Sequence, residues 1–486
     1  MNKKTFTNKK AFSDRTFALL TINYIVGFGF IATIAGVVNL GYWALLILFI
    51  NTFIATATAL AFSRLISAFP NETGGSISFA KKTNYKFLTA LTGFHQYVQV
   101  PLFSATGPLF LVQIARVFTQ DETHLWIVRG VSILFYIGLI LIVFLRVKIS
   151  KWFIFATAII KWITLGIGFI GLVILVAREN SNLVENFNNV KNVNAYLIFS
   201  TIIFFMFAYG GVETTPNLAK DVQFKKFSKA LIISIVLIAF FYTIAYILFL
   251  NIKPDSIKDG FIQVYRSVMG LTGVGIFIIY LLFYNISSTM TSTLANPKVL
   301  VGFAQIGLLP KALTKTNRFN QHQNAIITNT VIIIVFMIFF TLLPAIAKLN
   351  TPFFSEVINM GTIAFLLQYL LTFVTIFILV KQKKMPNIKW YELAFYGLAG
   401  LFIVVPSIIY LFPFLVGEQW TINNTIVISV YAFFFAVFLT YFFVAKYKNR
   451  INLDAKLEEP QEEKVEENKV DVNQLNPNLN ENKGTV

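Results

Sequence analysis

Long apolar runs separated by short polar stretches set the pattern of the chain, and the runs are continuously apolar rather than alternating. A membrane β-barrel would need many ten-residue segments of alternating polarity, so the spacing predicts helices. About twelve runs are long enough to cross a ~30 Å hydrocarbon core. They fall near residues 17–38, 41–67, 85–119, 125–145, 151–177, 195–219, 229–251, 265–305, 325–347, 354–380, 392–416 and 423–446. The third and eighth are over-long for one straight crossing and are expected to tilt or extend past the bilayer. The expected fold is an all-α integral membrane protein of about twelve transmembrane helices.

Composition agrees with the pattern. Of 486 residues 56% are hydrophobic and only 13% charged, and the mean hydropathy is +0.70, far from the usage of a soluble domain. Residues 1–16 are polar and basic, and the apolar run that follows is too long for a signal-peptide core and has no small-residue cleavage site, so the first helix is expected to serve as its own insertion signal. The net charge of +18 raises the question of a nucleic-acid partner, which its location answers. With loops assigned alternately from a cytoplasmic N-terminus, 27 Lys and Arg fall inside or at inner helix ends against 8 outside. That asymmetry is the positive-inside rule, which implies a multi-pass plasma-membrane protein with both termini cytoplasmic and no nucleic-acid partner. Cysteine is absent, which excludes disulfides and thiol chemistry.

From residue 448 the chain turns polar, with nine acidic and six basic residues, and is expected to be a disordered cytoplasmic tail to residue 486. The loop 178–194 is taken as an extracellular seam between two five-helix halves, 17–177 and 195–380, with 381–447 supplying helices 11 and 12. The first helix carries Gly27 and Gly29 near its middle; five spans later the sixth carries Gly210 and Gly211, followed by Glu213 and Pro216. Interruptions at matching places in two halves are the mark of inverted-repeat transporters, and Pro favours a break just before it.

The stretch Phe207-Ala208-Tyr209-Gly210-Gly211-Val212-Glu213 resembles the sixth-helix signature of the amino acid, polyamine and organocation (APC) superfamily of permeases. "GFGFI" at 27–31, "FPNETGGSISFAKKT" at 69–83, "NPKVLVGFAQIGLLPKALTKTN" at 296–317 and "NMGTIAFL" at 359–366 are similar to further family segments, in the family's order. The resemblance implies two inverted five-helix repeats plus two C-terminal helices, with helices 1 and 6 broken at the midplane beside a buried amino acid site. The eighth helix offers no obvious aromatic at its centre.

Physical chemistry supplies a reason for such breaks. Stripping water from a zwitterion in a low-dielectric interior is costly without fixed partners. Free N–H groups where a helix restarts suit a carboxylate, and exposed carbonyls at an interrupted C-terminal end suit an ammonium. Amides around Gly27, Phe28 and Gly29 are expected to hold the carboxylate. Carbonyls around Phe207, Ala208 and Gly210 are expected to hold the amine, with Tyr209 and Gly211 in the same lining. Phe207 lies at the family's gating aromatic position; otherwise it is one core or lipid-facing Phe among 53.

Glu213 is read as the only acid within a span away from helix ends, and an unpaired carboxylate there would cost at least ~3 kcal/mol. It either braces the broken helix or couples its rearrangement to a proton. Lys161 lies ~15 Å beyond Lys151 at 1.5 Å per residue, too deep for full snorkelling. In some relatives a lysine of the fifth helix fills the sodium space, which for Lys161 implies pairing with carbonyls of the broken first helix and proton-linked or ion-independent transport. Against this stand the hydroxyls of "NISSTMTST", where Ser287, Ser288 or Thr289 could ligate sodium, although such groups usually bond their own backbone. Gln99, with His95 and Gln96, lines a pocket or links helices. No spacing suits a metal, no glycine-rich loop suits a nucleotide, and no cofactor is expected. The expectation is a secondary active amino acid permease. The alternatives are a transporter of another organic cation such as a polyamine, or a non-transporting amino acid sensor; an enzyme would need nucleophiles or carboxylates converging in the spans.

Overall fold

The computed structural model describes residues 25–70, 72, 75–142, 147–179, 182–190, 192–213, 227–253, 260–317, 321–348, 353–385 and 387–453, with the side chains of 142–155, 227, 228, 230, 287 and 289–295 outside the description. Among the described residues every regular element is helical. Ten helices are long and apolar enough to cross a membrane, and two shorter apolar helices, Phe28–Val38 and Ala195–Tyr209, accompany them.

In chain order the first half contains α1 (Phe28–Val38), α2 (Trp43–Ala68), α3 (Ser76–Lys81), α4 (Lys86–Phe103), α5 (Thr106–Arg116), α6 (Glu122–Ile142), α7 (Val147–Arg178) and α8 (Leu183–Asn188). The second half contains α9 (Ala195–Met206), α10 (Phe227–Leu250), α11 (Phe261–Ala295), α12 (Pro297–Gln305), α13 (Gln323–Ile346), α14 (Phe353–Lys381), α15 (Trp390–Leu411) and α16 (Ile422–Tyr447). The α4–α5 span is the most enclosed, followed by α2 and α14, whereas α16 lies at the edge of the bundle. Large apolar side chains such as Leu134, Ile170, Phe240 and Leu271 stay exposed, which suits a bundle solvated by lipid.

Neither over-long run is a simple tilted rod. The third breaks between α4 and α5 at Ser104 and Ala105, just after Pro101, which lacks an amide donor and disturbs the last turn. Ser104 Oγ donates to the Pro101 carbonyl at 2.6 Å and Thr106 Oγ1 to the Phe103 carbonyl at 2.8 Å, so side chains satisfy acceptors that the break exposes. The eighth kinks at Gly270, whose φ of 61° and ψ of −141° are non-helical.

The segment between the halves is a folded clip. Asn186 Nδ2 in α8 donates to the carbonyls of Leu250 (2.8 Å) and Ile252 (2.7 Å), while the Tyr42 amide donates to the Phe187 carbonyl at 2.9 Å. This ties the α1–α2 turn to the end of α10. The first residues of the expected disordered tail are instead packed. Ile451 is buried and the Asn452 amide donates to the Ile306 carbonyl at 3.1 Å, so the chain is packed through Leu453, and residues 454–486 lie outside the described residues.

Candidate functional site

The first helix opens at Val26 and Gly27. Gly27 is extended, with φ −174° and ψ −134°, and α1 restarts at Phe28. The earliest bond of the new helix runs from the Ile31 amide to the Gly27 carbonyl at 3.3 Å, so the amides of Phe28, Gly29 and Phe30 precede the ladder and lack intrahelical acceptors.

The sixth opens in the opposite sense. After Met206 the chain tightens to a 3-10 turn over Phe207–Tyr209; Gly210 then extends with ψ 139°, and Gly211 takes a φ of 117°. Pro216 lies outside the described residues. The two openings touch. A Cβ built on Gly29 would stand 2.5 Å from the Phe207 carbonyl oxygen and 3.0 Å from the Ala208 Cα, so glycine is what lets the backbones meet.

Beside them lies a cavity of about 220 Å³, somewhat below the ~300–1,000 Å³ of sites for drug-sized ligands. The openings contribute Phe28, Gly29, Phe207, Gly210, Gly211 and Glu213 to its wall. Gln96, Gln99, Ser104, Tyr136, Tyr284, Asn285 and Ser288 supply further polar groups.

Three expected liners stand elsewhere. Gly27 is covered by Tyr284, whose Cε2 would lie 2.3 Å from a glycine-27 Cβ. Ala208 and Tyr209 are fully buried behind the wall. The Ala208 carbonyl, expected to meet an amine, already accepts the Tyr242 hydroxyl at 2.6 Å, and the Tyr209 hydroxyl pairs with Thr52 Oγ1 at 2.8 Å. The Phe207 carbonyl accepts the Gly210 amide at 3.1 Å. Ser288 reaches the cavity, whereas the side chains of Ser287 and Thr289 are outside the description.

Glu213 is buried, and its use is local. Its oxygens accept the Gly211 amide at 2.9 and 3.0 Å, and Oε2 accepts the Tyr369 hydroxyl at 2.5 Å. The carboxylate thus caps a backbone donor that the opening exposes and pins the turn to α14. Lys161 is 1% exposed. Its Nζ donates to the Val26 carbonyl at 2.9 Å and lies 5.2 and 5.5 Å from the ring centres of Trp162 and Tyr284, close enough for cation–π attraction.

Gln99 both lines the cavity and links helices: its Nε2 donates to Gln368 Oε1 at 2.9 Å, and Gln368 Nε2 donates to Ser76 Oγ at 2.7 Å. Gln96 Oε1 accepts the Ile77 amide at 3.1 Å, and a His95 ring nitrogen pairs with the Tyr431 hydroxyl at 2.9 Å. Phenylalanine rings pack where Phe28, Phe103 and Phe207 line the cavity. Phe28 meets Phe110 at 4.7 Å between centroids, Phe110 meets Phe354 at 5.2 Å, and Phe207 meets Phe103 at 4.9 Å.

The sequence reading missed Tyr284, Tyr136 and Gln368. Tyr284 corrects the expectation that the eighth helix lacks a central aromatic: its ring packs 5.8 Å from Phe28, and its hydroxyl interacts with Ser288 and the Phe28 amide. Gln368 carried a legible signal, being a polar residue inside an apolar run. Among the described residues no three His, Cys, Asp or Glu are grouped to hold a metal.

The chain is 28% identical over 473 residues to uncharacterized protein MG225 of Mycoplasma genitalium, covering 91% of this chain and 96% of the relative. It is 27% identical over 484 residues to uncharacterized protein MG226 of the same organism, and 24% identical over 487 residues to the MG226 homolog of Mycoplasma pneumoniae, with the same coverage in both. The family model described as amino acid permease matches residues 12–452. With two opened apolar helices meeting beside a polar cavity, and with a family match over nearly the whole chain, this protein belongs to the amino acid permease family, a group of multi-pass membrane transporters within the APC superfamily.

Proposed function

We propose that the chain carries an amino acid across the plasma membrane by alternating access, as a secondary active permease coupled to protons or working by exchange, with both termini cytoplasmic. The observation that carries this reading is the restart of α1 at Phe28 against the opened segment 207–213, on the wall of the cavity. Amides of the first turn, at the positive end of the helix dipole, are suited to a carboxylate. The Phe28 amide already meets the Tyr284 hydroxyl, so Tyr284 must give way or join the substrate's hydrogen bonds. Ala208 is dropped from the amine-binding set because its carbonyl serves Tyr242; the Gly210 region of the wall takes that role.

Lys161 is assigned to coupling. Its ammonium on the Val26 carbonyl supplies the positive charge that a bound sodium ion would otherwise bring to the first-helix break, which favours proton-linked or ion-independent transport. Glu213 is assigned to bracing, because its oxygens serve the Gly211 amide and Tyr369. The packed Phe28, Phe110, Phe354, Phe103 and Phe207 rings are assigned to gating the side that the positive-inside rule makes external. The test is uptake of a panel of radiolabelled amino acids by proteoliposomes holding the full chain, with and without pH and sodium gradients. Accumulation that follows the pH gradient, or counterflow without any gradient, supports the reading. Uptake driven by sodium and indifferent to pH removes the role given to Lys161, and no uptake of any amino acid removes the substrate class.

A further inference from the structure

Tyr136 stands on α6, a helix that contributes little else to the cavity. The hydroxyl is buried and has no hydrogen-bond partner, although its side chain forms part of the wall. Buried hydroxyls without partners are rare because losing water without a replacement is unfavourable. Several other buried polar atoms share this condition, among them those of Asn51, Tyr280 and Tyr396, but among the described residues Tyr136 is the one that also borders the cavity. Other polar liners are engaged within the protein. Ser104 and Thr106 bond to backbone carbonyls of their own segment, Asn285 to the Leu281 carbonyl, and Gln99 to Gln368.

The hydroxyl oxygen is covered by the Gly107 segment, so a substrate meets it only where that segment gives way. The hydroxyl lies against Gly107, where an added Cβ would come within 2.1 Å of the tyrosine oxygen, and Gly107 itself belongs to the wall. Around it the wall is apolar, with Val100, Ile140, Ile333 and Met337. Glu213 is the one charged side chain among the described liners, and it serves Gly211 and Tyr369.

Resting on the amino acid reading above, we propose that Tyr136 is a specificity-determining residue that hydrogen-bonds the far end of the substrate side chain, and that the permease prefers uncharged amino acids bearing one hydroxyl or carboxamide. A phenol donates and accepts, so it serves either group. An apolar surround without counter-charge rejects lysine-like and glutamate-like side chains, whose charge would be stripped of water with no partner. Unlike an apolar pocket, a site that offers a buried hydrogen bond penalises an isostere lacking the matching group.

The experiment compares threonine with valine, near-isosteres differing by the hydroxyl, and lysine and glutamate as charged controls, in proteoliposomes of the full chain. The wild-type protein is expected to favour threonine by roughly tenfold or more in kcat/KM and to exclude both charged amino acids. Tyr136→Phe, which removes one oxygen, is expected to bring the threonine-to-valine ratio within about threefold while valine uptake is retained. Gly107→Ala, which pushes the hydroxyl aside, should shift the ratio in the same direction. Valine carried as well as threonine by the wild type overturns the proposal without needing any variant, as does an unchanged ratio in a folded Tyr136→Phe protein. Failure of the wild type to carry any amino acid would instead strike the amino acid reading on which the proposal rests.

Discussion

The Lys161 ammonium lies 2.9 Å from the carbonyl oxygen of Val26, so a cation held by the seventh described helix closes the broken end of the first. The pair joins elements 135 residues apart in sequence, and its acceptor exists only because the helix opens at Gly27. A charge-assisted hydrogen bond of this kind contributes about 1.5–3 kcal/mol, while burying the ammonium opposes folding.

These terms nearly offset in stability but not in function. Lys161→Met is therefore expected to keep the folded protein within about 2 kcal/mol of the parent and to reduce uptake at least tenfold, a loss of roughly 1.4 kcal/mol or more in transition-state terms. Melting in detergent paired with proteoliposome uptake separates the two readouts. A methionine variant that transports normally and keeps its pH response would show that the ammonium merely occupies space.

Glu213 leads to the opposite division. Its oxygens serve the Gly211 amide and the Tyr369 hydroxyl, and glutamine retains an acceptor of the same reach. Glu213→Gln should leave uptake within about threefold, whereas Glu213→Ala orphans two buried donors at about 1–3 kcal/mol each and should lower the melting temperature markedly. If glutamine abolishes the response to a pH gradient while the protein stays folded, the carboxylate carries a proton and the bracing role is wrong.

The contact between the two openings can be probed directly. Gly29→Ala places a methyl 2.5 Å from the Phe207 carbonyl oxygen, and overpacking of rigid backbone typically costs about 1–3 kcal/mol. We expect expression to survive, melting to fall, and uptake to drop at least tenfold because the two segments can no longer meet. Normal uptake by the alanine variant would mean that their contact is dispensable.

Particular residues show how far the sequence carries. Gly27 and Gly29 stand five spans before Gly210 and Gly211, and glycine pairs inside apolar runs signal backbone that approaches something closely; the openings at Val26–Gly27 and after Met206 occur there. Lys161 was legible because charge is costly at its depth. Tyr284 and Tyr136 were not. In a bundle solvated by lipid the inner and outer helix faces are both apolar, so no polar stripe tells which of 19 tyrosines and 53 phenylalanines turns inward. The same blindness hid the destination of the Ala208 carbonyl, because Tyr242 reaches it from 34 residues away. Composition also misled at residue 448: a polar stretch reads as solvated, yet buried Ile451 and the Asn452 amide on the Ile306 carbonyl seat its first residues.

That seat makes the last prediction. Gly307 has a φ of +82°, and a Cβ there would stand 2.0 Å from the Arg450 carbonyl oxygen. The chain beyond α16 therefore lies against the loop after α12, held by the Asn452 amide on the Ile306 carbonyl at 3.1 Å and by buried Ile451. A β-branched residue cannot adopt this backbone without strain of about 1–2 kcal/mol, and its side chain would occupy the place of Arg450. In Gly307→Val the segment should leave its seat, which exposes the Arg450–Ile451 bond to trypsin. Limited proteolysis of the folded wild type is expected to spare that bond, whereas the variant is cut there at least tenfold faster, with the transmembrane fragment otherwise intact by mass. Equal cutting in both proteins would mean that residues 449–453 do not stay docked on the α12 loop.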